Sequence, residues 1–271
     1  DNVLKINNKI NVYNFDKIID YKINPTLIPQ DIFENSLGKR FNIYLNEDKV
    51  LLLKKIDLKS FKLEIISETL QGIIAGDEKK HIVKSKLNDN YKPILRGKSI
   101  SKYYTPDSAK EFIYFVEGTK VLTRSRKKEN FEVPKKILTQ HVSGKIIATI
   151  DYNSFYYMQT INGTIIKNGK YLPEYILALL NSKLTNFYYD NSFNLGAEFT
   201  TAVAIENINL LPVFPIALIE QKIFVDLVTS IYSQKKTNPI ANTTDIENQI
   251  DQLVYQLYGL TEEEIEIVEG A

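Results

Sequence analysis

The sequence contains no cysteine and only two histidines, His81 and His141. Disulfides, thiolate metal sites and cysteine nucleophiles are therefore excluded, and a histidine metal cage or histidine relay has too few members. The missing cysteine does not by itself identify a compartment. Common enzyme signatures are missing too: there is no G-x-G-x-x-G, no Walker loop, no G-x-S-x-G and no H-E-x-x-H. No basic segment leads into an apolar run, so nothing resembles a secretion signal. The first residue is Asp1 rather than Met, and the chain is expected to be a piece of a longer polypeptide. No repeat appears at the periods of solenoids or propellers. Two carboxylate-x-lysine triplets, Asp20-Tyr21-Lys22 and Glu47-Asp48-Lys49, have the form with which metal-dependent nucleases hold a cation and orient water. In a chain that is 25% charged such triplets arise by chance, and no separate acidic residue on a clear strand accompanies them.

What is present is an ordinary folded composition. The 271 residues are 44% hydrophobic, enough to bury a core and too many for a disordered chain. The net charge of +1 conceals a segregation. From Lys79 to Lys145 there are 17 Lys/Arg against 6 Asp/Glu; from Ile240 to Ala271 there are 8 Asp/Glu and no Lys/Arg. A basic middle and an acidic end suggest a polyanion-binding face with a separate solvated tail. The plainer alternative is that the lysines only solvate a surface.

Along the chain, residues 1–60 mix short apolar runs with Asn and Lys, and Asn24-Pro25 and Ile28-Pro29 break any long helix. This segment reads as an irregular arm or linker. Val50 to Leu53 and Phe61 to Ile66 fit short strands or pieces of helix, followed by turns at Gly72 and Gly76. From Phe112 to Gln159 β-formers dominate. Strands are expected at Phe112–Val116, Lys136–Leu138, Ile146–Ile150 and Phe155–Met158, with turns at Gly118, Ser143-Gly144 and Asp151–Asn153. In Phe155, Tyr156 and Tyr157 at least one ring belongs to the core. A helix is expected after Pro173, with Ile176, Leu179, Leu180 and Leu184 on one face. A second follows Pro215, with Ile219, Ile223, Phe224, Leu227, Val228 and Ile231 at helical spacing. A third runs from about Asp245 to Tyr258 and closes at Gly259, its apolar stripe packing on this domain or on a partner. Thr261 and Glu264 form a capping-box pattern for a last short helix. The fold class expected is mixed α/β: a β-rich body over 61–215 and a helical C-terminal region over 216–271.

The basic middle contains Tyr91-Lys92-Pro93-Ile94-Leu95-Arg96-Gly97-Lys98-Ser99-Ile100-Ser101-Lys102-Tyr103. It is preceded by Gln71-Gly72-Ile73-Ile74-Ala75-Gly76. After it come Pro134-Lys135-Lys136-Ile137-Leu138, Ile146-Ile147-Ala148-Thr149-Ile150-Asp151, the run Tyr175 to Leu184 and Leu211-Pro212-Val213. In this order the pieces resemble the TaqI-like target recognition domain of adenine-specific DNA methyltransferases and fused restriction-modification enzymes. The resemblance covers roughly residues 65–215.

The resemblance implies a cytoplasmic, sequence-specific double-stranded DNA reader with no catalytic step of its own. It would work beside a methyltransferase domain of the same polypeptide that uses S-adenosylmethionine. That catalytic domain is not represented here: Asn24-Pro25 and Asn238-Pro239 lack the second proline and aromatic that clamp a flipped base. The alternative is a non-catalytic protein-interaction or nuclease-accessory module of a defence system. No metal or membrane contact is expected.

Expected DNA contacts are Arg96, Lys98, Lys102, Tyr103, Arg124, Arg126, Lys127, Lys128, Lys135, Gln140, His141 and Lys145. Arg96 suits a phosphate or guanine edge, or an internal carboxylate. The lysines and the run from Arg124 suit phosphate. Gln140 carries the donor-acceptor pair that matches adenine, and His141 suits a base or a phosphate, against the plainer alternative, favoured for both, of burial or simple exposure. At these two positions the chain departs from the basic residues usual after the P-K-I-L strand.

Overall fold

The computed structural model describes residues 9–12, 26–29, 45–119, 122–194 and 202–270. Asp20-Tyr21-Lys22 and Asn24-Pro25 lie outside them. In chain order the first elements are β1 (Lys9–Val12), β2 (Thr26–Pro29), α1 (Glu47–Leu58), β3 (Phe61–Lys62), β4 (Ser67–Gln71), α2 (Glu78–His81), β5 (Ile82–Val83), β6 (Tyr91–Leu95) and β7 (Glu111–Tyr114). Next come β8 (Lys136–Gln140), β9 (Ala148–Asp151), β10 (Tyr156–Tyr157) and β11 (Ile161–Ile166). The remainder is α3 (Pro173–Asn181), α4 (Lys183–Tyr189), α5 (Ile205–Asn209), β12 (Pro212–Val213), α6 (Lys222–Thr237), α7 (Thr244–Tyr258) and α8 (Glu262–Glu269).

Two four-stranded sheets organise the body. One has the order β4-β11-β8-β9 and is antiparallel throughout; the other has the order β10-β6-β7-β5, with β10 parallel to β6. Strand β8 shows how they stack. Successive side chains of a strand point to opposite faces, and both faces are covered here. Ile137 joins a core with Leu180, Phe224, Val254 and other helical residues, while Leu138 joins a second core with Ile94, Ile113 and Tyr156 of the smaller sheet. The first sheet is thus a middle layer between helices and the second sheet. This is why Lys136–Leu138 reads as a continuous apolar run apart from its first residue.

Helix α3 starts at Pro173, whose missing N–H costs nothing in a first turn. The single helix expected through Leu184 is two helices. Ser182 breaks it, accepting the Thr185 N–H at 3.1 Å as the cap of α4, and the buried Asp251 carboxylate of α7 accepts the Lys183 N–H at 2.8 Å. The neighbouring Asn181 amide donates to Ala148 O at 2.9 Å and accepts from Ala148 N at 3.0 Å. It completes the open edge of β9 as a backbone strand would.

Three further expectations need correction. Residues 47–58 form a helix, with Leu52 and Ile56 buried in the helical core, so this part of the presumed arm is structured. Its first turn holds Glu47 and Asp48 beside the Asn46 cap, where carboxylates favour the helix dipole. That placement accounts for the triplet without a metal, and no group of three or more His, Asp or Glu fit to hold one exists among the described residues. The helix after Pro215 begins only at Lys222; Ile219 is 78% and Ile223 49% exposed. The acidic end is not a separate tail, because Glu247 pairs with Lys102, Glu264 with Lys55 and Glu269 with Lys183, at 2.6, 2.6 and 2.9 Å. Helices α6 and α7 share one core with the middle sheet. The stripe of α7 therefore packs on this body, and the helix ends at Gly259 in the left-handed conformation that a Cβ would disfavour.

The two sheets meet at Gly72. A Cβ there would collide with the carbonyls of Tyr157 and Met158, which are backbone atoms with nowhere to retreat. Gly72→Ala is expected to destabilise the protein by about 1–3 kcal/mol through overpacking. Thermal denaturation checks this, and an unchanged midpoint would show that the junction yields.

Candidate nucleic-acid interface

The expected contact residues separate by whether a carboxylate already neutralises them. Arg96, at the end of β6, donates from Nε to Glu111 at 2.6 Å and from Nη2 to Glu78 at 2.9 Å. The Glu78 bond, followed by the Glu111 bond and charge, raises its pKa despite partial burial, and the same Arg96 bond lowers that of Glu111. Of the alternatives open for Arg96, the structure takes the internal carboxylate. Lys102 pairs with Glu247 at 2.6 Å, and Lys135 with the buried Glu174 at 2.7 Å. Lys127 and Lys128 are exposed and loosely paired with Glu129 and Glu132 at 3.5 and 3.3 Å. Such surface pairs contribute little and exchange readily with another anion.

Tyr103 is a correction. It is 1% exposed, with φ of 61° and its ring in the helical core, so it is not available to DNA. Gln140 and His141 turn inward as well. The Gln140 amide donates to Ile100 O at 2.7 Å, and His141 Nδ1 lies 3.1 Å from Val203 O. One of its two amide N–H groups is thereby engaged, and the bond turns the side chain toward the backbone of Ile100. Gln140 holds the Arg96–Ile100 turn.

Lys98, Lys145, Arg124 and Arg126 have no carboxylate within ion-pair distance among the described residues. Lys98 and Lys145 are exposed, Lys145 following Gly144 in a turn with φ of 67°. The two arginines are half-buried and hooked onto one residue. Arg124 Nη2 donates to Gln71 Oε1 at 2.8 Å, and Arg126 Nε donates to Gln71 O at 3.0 Å. Arg124 is also fixed by two backbone bonds to Ile74, and its buried Nε has no hydrogen-bond partner. Burial first and the neighbouring Arg126 second lower the Arg124 pKa. These are guanidiniums oriented by neutral acceptors with their charge uncompensated.

The basic pieces converge on the link between β10 and β11. Gln71 donates from its side chain to Gln159 O at 2.9 Å. Gly97 N donates to Thr160 Oγ1 and His141 N to Thr160 O, each at 2.9 Å. Gln71, Gln159 and Thr160 thus position the interface although none is basic, and nothing local in the sequence marks them. All three of Phe155, Tyr156 and Tyr157 are buried beneath it.

The described residues thus form a two-sheet body with cations on its loops, backed by a helical layer. Residues 92–213 match the model of the TaqI-like C-terminal specificity domain, and over this stretch the chain is similar to that family. It is a DNA target recognition domain, and a specificity domain is non-catalytic.

Among solved structures, the chain is similar to the type IIL restriction-modification enzyme MmeI in complex with DNA, with a TM-score of 0.55 and 12% identity. The match covers 95% of this chain and 40% of that one. It is also similar to the type IIG restriction endonuclease BpuSI, with a TM-score of 0.51 and 12% identity over 91% of this chain and 37% of that one. The HsdS subunit from Thermoanaerobacter tengcongensis matches with a TM-score of 0.42 and 10% identity over 78% of this chain and 51% of that one. The chain therefore spans about half or less of the length of these proteins. No curated protein sequence matches it significantly. Among the described residues, no helix is long and apolar enough to cross a membrane.

Proposed function

We propose that the chain reads duplex DNA for a larger restriction-modification polypeptide, in which a neighbouring domain methylates adenine from S-adenosylmethionine in the cytoplasm. The body over 61–215 carries the recognition surface, and residues 1–60 and 216–271 flank it. The methyl donor belongs to the neighbouring domain, and no residue of this chain is assigned to it. Whether that larger protein also cleaves DNA lies with domains outside this chain.

The observation that carries the reading is the Arg124–Arg126 pair. Two adjacent guanidiniums, held by neutral acceptors and lacking a counter-charge, repel one another until an anion lies against them. DNA supplies such anions as backbone phosphates. Lys127, Lys128 and Lys145 add exposed positive charge, and Lys98 projects from the turn that Gln140 holds. Arg96, Lys102 and Lys135, neutralised internally, shape loops rather than bind.

The test is duplex binding by the purified chain as a function of salt. Arg124→Ala combined with Arg126→Ala is expected to flatten the log-log salt dependence by about two units, or one per lost phosphate contact. Arg96→Ala should flatten that slope less than the loss of the two arginines does, and should also lower stability. Salt-independent binding of wild-type protein, or none, would remove the DNA reading. Binding that responds only to Arg96 would place the interface elsewhere.

A further inference from the structure

A cleft of about 460 Å³ opens beside the Arg96–Ser99 turn, against β6 and β7. Its charged lining consists of Lys84, Arg96, Lys98, Lys110 and Glu111, with Ser99, Ser108 and Tyr104 adding hydroxyls. The charges divide into a frame and a remainder. Glu111 is engaged twice, by Arg96 at 2.6 Å and by Lys84 at 3.1 Å, and Arg96 also reaches Glu78. These four charges cancel. Lys98 and Lys110, both exposed, have no carboxylate within ion-pair distance among the described residues, so the cleft carries an excess of two positive charges.

The walls are fixed before any ligand arrives. Gly97 is held through its N–H by Thr160 Oγ1, and a Cβ on it would lie 2.7 Å from Thr160 O. Gln140 ties down Ile100 O at 2.7 Å. Beyond the turn, Lys102 is locked to Glu247. A rigid concave site with hydroxyl donors and unbalanced lysines has the chemistry of a phosphate receptor: fixed geometry lowers the ordering cost, and the lysines supply the charge.

We propose that this cleft seats a backbone phosphate of the bound duplex, with Lys98 and Lys110 as its charged contacts and the Lys84–Glu111–Arg96–Glu78 chain as the frame that holds it open. The proposal rests on the DNA reading above and adds to Arg124 and Arg126 a second pair of cations, held by the cleft. The same phosphate chemistry is offered by free inorganic phosphate, and the test distinguishes the two sources.

Binding of a labelled duplex is measured by fluorescence anisotropy across a range of salt concentrations, for wild type and for Lys98→Ala combined with Lys110→Ala. Both side chains are exposed and outside the core, so the variant is expected to fold like the wild type, which circular dichroism verifies. The salt slope should fall by one to two units. Inorganic phosphate, followed through the amide resonances of Ser99 and Tyr104, should perturb them only weakly, while the duplex perturbs them strongly. If the Arg124/Arg126 variant flattens the slope and the Lys98/Lys110 variant does not, the cleft is not a DNA contact and the DNA reading survives. If inorganic phosphate saturates the cleft tightly while the Lys98/Lys110 slope stays at the wild-type value, the site serves free phosphate and the backbone assignment falls. If wild-type protein ignores the duplex, both readings fall together.

Discussion

Asp151→Asn should destabilise the protein by about 3–5 kcal/mol, the cost of leaving a buried charge without its partner. Lys136 and Asp151 face each other across β8 and β9 at 2.6 Å, and both side chains are 0% exposed. Lys136 also donates to Phe131 O at 2.6 Å, while Asp151 accepts the N–H groups of Asn153 and Phe155, each at 2.8 Å. The pair therefore closes the end of the loop that carries Arg124 and Arg126 and shapes the turn before β10. Burial lowers the Lys136 pKa, with Asp151 opposing it; with asparagine opposite, that support is lost.

Lys136→Met is expected to cost less, because Asp151 keeps two backbone donors. The double substitution should recover much of the loss, since replacing both charges removes the desolvation penalty as well as the attraction. Denaturant unfolding of the three variants is the measurement. A loss below about 1 kcal/mol for Asp151→Asn would mean that water reaches the pair and that it does not hold the loop.

Alkaline pH should unfold the protein steeply. Seven tyrosines that are at most 2% exposed, Tyr103, Tyr156, Tyr157, Tyr175, Tyr188, Tyr255 and Tyr258, have pKa values raised above the ordinary one, in each case chiefly by burial. An unfolded tyrosine loses its proton near pH 10, while these hold theirs in the native state. Above that pH the native state binds more protons than the unfolded one, so stability falls as pH rises. Each group contributes about 1.4 kcal/mol per pH unit. Three of them acting together exceed ~8 kcal/mol within two units, comparable to the whole stability of a typical domain. Lys136 acts in the opposite sense, since its lowered pKa means that the unfolded state holds the extra proton, but it is one group against seven. Tyrosinate absorbance and far-ultraviolet circular dichroism should change together. If the tyrosinate signal reached completion near pH 10 with the fold intact, the rings would not be sealed.

The strands and helices that pack two-sided or strongly one-sided faces were legible in the sequence. Runs of β-formers between turns placed β7 to β10, helical spacing placed α7, and Thr261 with Glu264 marked the start of α8, where the reciprocal bonds are present. Helix α1 was hidden because its buried residues, Val50, Leu52 and Ile56, do not form a clear stripe. The start of α6 was misplaced because Ile219 keeps helical spacing while lying outside the helix. For the interface, sequence located the basic stretch but could not rank its members. Whether a cation is free depends on partners far along the chain: Glu247 lies 145 positions beyond Lys102, and the Gln71 that orients Arg124 is 53 positions before it. Glutamine carries no charge to mark it, and Gln140 looked like a reader because an outward course was assumed for a side chain that turns toward Ile100.

The order in which the chain visits its two sheets limits how the molecule can be divided. It lays down β4 in the middle sheet, crosses to β5, β6 and β7 in the smaller one, returns for β8 and β9, crosses again for β10 and comes back for β11. Neither sheet is complete until nearly the last strand has been added, so no cut in the chain frees one from the other. Such interleaving makes most native contacts non-local, which slows folding relative to a helical bundle of the same size. Altered target preference would then be sought by exchanging loop residues on an intact body, because grafting the smaller sheet alone would leave its strands without neighbours.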